Sequence, residues 1–104
     1  MIDHVSIGVR DLASASRFYE ALLATLGFAK LETRPTTVGF GKKYPELWLN
    51  HRADMGAVAP DSGAHVCLRA RSPEAVDAFH AAALLAGGVS DGAPGPRPQH
   101  GDGY

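Results

Sequence analysis

Two histidines stand in near-identical settings, His4 in DHVSIGVRDL and His65 in AHVCLRARSP. A carboxylate, Glu46, lies in PELWLN two residues before Trp48. Two imidazoles and one carboxylate make a borderline-hard donor set. It suits a divalent Zn, Ni, Fe, Mn or Co ion with coordination positions left open. Such an ion polarises adjacent oxygens of a substrate and steadies an enediolate or a developing alkoxide. That chemistry requires all three side chains on one face of one sheet.

The elements carrying them can be read from periodicity. Ile2 to Val9 alternates, with Val5, Ile7 and Val9 on one face and His4, Ser6 and Gly8 on the other, as in a half-buried strand. Asp11 can cap a following helix, because its carboxylate accepts amides of the first turn. Leu12, Ala15, Phe18, Tyr19, Leu22, Leu23 and Leu26 form one helical stripe that stops at Gly27, the place for a left-handed cap. Short strands are expected over Phe28–Thr33, Thr36–Phe40 and Pro45–His51, with a turn over Gly41–Tyr44. Arg52–Gly63 reads as a connector, His65–Arg71 as another strand, and Ser72-Pro73-Glu74 as the start of a helix ending at Gly87-Gly88. Val89–Gly103 reads as a long loop.

The two histidine segments belong to a repeat. Sliding the chain by 61 residues matches His4 with His65, Val5 with Val66, Arg10 with Arg71, Phe18 with Phe79 and Gly27 with Gly88. The unit is strand, helix, then three strands. Tyr104 corresponds to Lys43, so the second copy lacks the counterpart of Pro45–His51 and most of the strand before it. An open edge and an apolar face follow, which point either to a fragment or to another chain that supplies the missing strands.

Parity then places the side chains. If the helices cover Val5, Ile7 and Val9 and, in the repeat, Val66, Leu68 and Ala70, then His4, His65 and Cys67 lie opposite. In the Pro45–His51 strand, Leu47 and Leu49 alternate with Glu46, Trp48 and Asn50, which puts Glu46 and Trp48 on the histidine face. Cys67 reads as a half-buried filler there. Arg10, Arg71, His51 and His80 read as surface, and Phe18 and Phe79 as core.

DHVSIGVRDLASASRFYEALLATLGF, PELWLN and AHVCLRARSPEAVDAFHAAALLAGG together resemble the vicinal oxygen chelate superfamily of glyoxalases, bleomycin-resistance proteins and extradiol dioxygenases. The resemblance spans nearly the whole chain. It implies an α+β fold of paired βαβββ modules forming a cupped mixed sheet with helices outside: residues 1–52 as the first module and 64–104 as an incomplete second one. It also implies His4 and His65 as histidine ligands and Glu46 as the metal-binding and catalytic carboxylate. Trp48 would line the cup, and His100, in the loop that can border it, would contact substrate. The family's last acidic ligand lies on a strand for which this chain has no counterpart.

Composition bounds the rest. The chain has 104 residues, a net charge of -1 and interspersed charges, which suits one small domain and argues against nucleic acid. A single cysteine excludes an internal disulfide and fits a reducing cytoplasm. No apolar run reaches membrane-spanning length, and the N-terminus has no signal-peptide pattern. The expected function is a glyoxalase-like metal-dependent lyase or isomerase, or a dioxygenase, acting on a small oxygenated molecule. The alternatives are a binder that sequesters a small molecule, as resistance proteins do, and an inactive truncated member. A homodimer that completes the sheet is the expected assembly.

Overall fold

The computed structural model describes residues 1–59 and 61–100. Four strands, β1 (Val5–Val9), β2 (Ala29–Thr33), β3 (Thr37–Gly41) and β4 (Pro45–His51), form one mixed sheet in the order β1-β4-β3-β2. β1 pairs parallel with β4, and β2-β3-β4 is an antiparallel meander. Helix α1 (Leu12–Leu23) makes the crossover after β1 and packs across one face of the sheet. It leads to β2 at the far edge of the sheet, and the meander then returns β4 to lie parallel beside β1.

Local chemistry sets the ends of α1. The Asp11 carboxylate accepts the Ser14 amide at 3.0 Å, the expected N-cap. A 3-10 turn over Ala24–Leu26 then runs into Gly27 at φ 81°, a left-handed conformation that costs glycine little. Leu22 and Leu23 of α1 meet Val38 and Phe40 of β3 and Leu47 and Leu49 of β4 in the core. Val5, Ile7 and Val9 of β1 pack against that cluster from the sheet edge. The alternation read from the sequence therefore has the expected sense in β1 and β4.

The second copy of the repeat behaves differently. Its helix, α2 (Pro73–Leu85), forms with the expected cap: Ser72 Oγ accepts the Ala75 amide at 3.1 Å, and Pro73 opens the first turn. Gly87, at φ 106°, lets the Gly88 amide turn back to the Ala83 carbonyl at 2.7 Å. Yet α2 lies on α1 and the 3-10 turn rather than over a strand of its own, and none of its residues is fully buried. Phe79, Ala82 and Ala83 reach the core, while Val76 and Leu84 stay largely exposed.

The expected strand over His65–Arg71 does not form; the segment joins no sheet, and Leu68 is its residue packed on the core. A strand needs a ladder partner, and among the described residues the second copy contributes no strand to pair with it. The α+β class with an incomplete second module stands, with the sheet built by the first module alone. No helix among the described residues is long and apolar enough to cross a membrane.

Two outcomes test this packing. Leu49 is fully buried, and Leu49→Ala should cost about 2–5 kcal/mol in urea unfolding, through lost transfer energy and a residual cavity. Burial pushes the Tyr19 phenol above its ordinary value of 10.0. The folded state then resists ionisation more than the unfolded chain does. Stability on this account is unaffected below about pH 10 and falls as pH rises beyond it. Tyr19→Phe should reduce that alkaline fall in the urea midpoint.

Candidate ligand-binding face of the sheet

The face of the sheet away from α1 is built by three strands. Ser6 of β1 lies beside Trp48 of β4, which lies beside Gly39 of β3. In the next row, Gly8, Asn50 and Thr37 stand side by side. Glu32 of β2 flanks Gly39. These residues face away from the core because Leu47, Leu49, Val38 and Phe40, one step along their strands, are buried under α1.

Two glycines shape this surface. A Cβ at Gly39 would stand 2.9 Å from Trp48 Cζ3, 3.0 Å from Trp48 Cε3 and 2.9 Å from Pro45 Cβ. No side chain fits there, and the vacant position is what lets the indole lie across β3. The Arg34 guanidinium caps that indole, its Cζ 5.1 Å from the ring centroid. Arg34 follows β2; its amide donates to the Thr37 carbonyl at 2.9 Å, and its Nε lies 3.8 Å from Glu32 Oε2. A Cβ at Gly8 would stand 3.3 Å from Met55 Sδ and 3.4 Å from Arg52 Cγ. The chain leaving β4 thus folds over Gly8, fixed by the Arg52 amide donating to the Val9 carbonyl at 2.8 Å. Trp48 and Arg34 bound the face on one side and Arg52 and Met55 on the other. Ser6 and Asn50 form the polar floor.

The expected site residues are placed as follows. His4 precedes β1 by one residue, exposed, with its Nδ1 2.9 Å from Asp3 Oδ1. The parallel register begins at Val5 opposite Leu47, so His4 comes level with the half-buried Glu46. His65 is exposed in the segment that joins no strand. His100 is exposed in a 3-10 turn over Pro98–His100. Among the described residues no three His, Cys, Asp or Glu side chains gather closely enough to hold an ion. A catalytic divalent ion takes about three donors from the protein, and the register sets only His4 and Glu46 of the expected donors at one level of the sheet. The described donors therefore do not fit the implied metal. Cys67 is exposed rather than half-buried.

The chain has relatives among known proteins. The family model for the glyoxalase/bleomycin resistance protein/dioxygenase superfamily matches residues 1–102. The chain belongs to this superfamily. A crystal structure of a glyoxalase/bleomycin resistance protein from Albidiferax ferrireducens is similar, with 30% identity and a TM-score of 0.70 over 82% of this chain and 68% of that one. No curated protein matches the chain.

Trp48 lies on the face of the sheet away from α1. Arg34, Gly39 and Asn50 were not singled out by sequence. A signal existed for Gly39, since glycine inside a strand commonly marks close approach of another group. Nothing local marked Arg34, whose contact is with a residue two strands along the sheet.

Gly39→Val should therefore expel the indole from its seat. Trp48 is the chain's one tryptophan, so its emission reports the change directly. A red shift with a loss of about 1–3 kcal/mol in stability is expected, as for overpacked sites. Unchanged emission would place the ring elsewhere.

Proposed function

We propose that this superfamily member binds a small organic molecule on the open face of its sheet, with Trp48 as the apolar wall and Ser6 and Asn50 as polar contacts. The observation carrying this reading is the indole held over Gly39 between the sheet and Arg34. A partly buried tryptophan seated on backbone offers a rigid apolar edge at little entropic cost. Polar groups on the adjoining strands supply direction, which is the usual composition of a small-molecule site. A screen of small oxygenated molecules by thermal shift and Trp48 emission tests it. Molecules that raise Tm should quench or shift the indole signal saturably. They should bind about tenfold more weakly to Trp48→Ala when followed by Tm. Ligands indifferent to both Trp48→Ala and Asn50→Ala would move the site off this face.

A second reading, a metal-dependent lyase or isomerase of glyoxalase type, is favoured by His4 standing level with Glu46. It requires a third donor, from a second copy or from outside the described residues. Added Ni, Zn, Mn or Fe should then raise Tm, and His4→Ala and Glu46→Gln should each abolish the rise. A flat response from the wild-type chain removes this reading.

A further inference from the structure

The open face also carries information on the charge of its ligand, and this step rests on the binding reading above. Arg34 is the group that bears it. Its backbone is held where β2 turns into β3 by the hydrogen bond to Thr37, with Pro35 following. Its guanidinium lies over the Trp48 ring, Cζ 5.1 Å from the centroid, with Glu32 Oε2 3.8 Å from Nε. Both contacts leave the outer edge of the fork uncommitted: among the described residues no hydrogen bond engages either Nη of Arg34, and its ion pair with Glu32 runs through Nε. The contrast on the same face is Arg52, whose Nη1 donates to the His51 carbonyl at 2.9 Å. The Arg34 side chain is 60% exposed, so its fork can be reached.

A guanidinium presents two parallel N–H groups at its end, which match the spacing of the two oxygens of a carboxylate. A cation over an indole is attracted by the ring without spending its N–H donors. The anionic side chains on this face are Glu32 and Glu46. Glu32 is paired with the Nε side of Arg34, and Glu46 lies towards His4, at the other end of β4 from Asn50. We propose that Arg34 is the specificity-determining residue of this face and selects small planar molecules carrying a carboxylate. The two Nη groups would receive the carboxylate end-on, and the planar body would lie along Trp48 over Ser6 and Asn50.

Acid and amide pairs of equal shape isolate the charge: benzoate against benzamide, and phenylacetate against phenylacetamide. Binding is followed by Trp48 emission and by amide shifts of residues 6, 34, 48 and 50 in two-dimensional NMR. Each acid should bind about tenfold or more tightly than its amide, as expected for a charge-assisted pair. The preference should shrink as salt is raised. Arg34→Gln should abolish the acid-over-amide preference, and Arg34→Lys should retain a part of it. Acids and amides that bind this face equally, or a preference that survives Arg34→Gln, would overturn the role of Arg34 and leave the face as a binding site. No saturable change at residues 6, 48 and 50 with any of the four probes would overturn both readings. The fold of Arg34→Gln is checked by its urea midpoint, and the acid-over-amide ratio within that variant is insensitive to any general loss of stability.

Discussion

The strand from Pro45 to His51 is hydrogen-bonded on both sides, parallel to β1 and antiparallel to β3. Everything else in the sheet is referred to it. Because side chains alternate across a strand, its register with its two neighbours decides at once which residues become core and which become site. Leu47 and Leu49 go under α1, so Glu46, Trp48 and Asn50 must go to the other face. A slip by one residue would exchange the two sets, burying a carboxylate and an amide against leucines. The core and the candidate site are thus one constraint seen from two sides, and the apolar face holds the polar face in place.

On that frame the open face is shaped more by missing side chains than by present ones. Gly39 and Gly8 both face away from the core, and each vacant Cβ position is filled from elsewhere, by Trp48 at the first and by Arg52 and Met55 at the second. Glycine in a strand interior weakens the ladder and costs entropy. Here it admits an aromatic ring and a loop that together bound a surface on an otherwise flat sheet. The Arg34 guanidinium then extends the ring outward with a charged edge.

The duplicated histidine strand shows how far a repeat can be trusted. The copies share caps, apolar spacing and terminal glycines, and both helices form from these local signals. The strands do not share an outcome. Val5–Val9 has Pro45–His51 as a partner, whereas His65–Arg71 has none among the described residues. His65 consequently stays apart from the pair made by His4 and Glu46, and the donor set suggested by residue types is not assembled by one chain.

What the sequence by itself determined is everything that depends on neighbours within a turn or two. This covers the Asp11 and Ser72 caps, the left-handed turn at Gly27, the stripes of both helices and the faces of β1 and β4. It also covers membership in a superfamily whose module has this order of elements. Capping, helical spacing and strand alternation are short-range, so their signatures survive in the residue string. Only the tertiary structure decided that the second helix rests on the first, that Arg34 lies over Trp48 and that His65 lies off the sheet. Each of these depends on which distant segment is free to pair or pack. Alternation names the face a residue must take, but not the strand that will lie beside it.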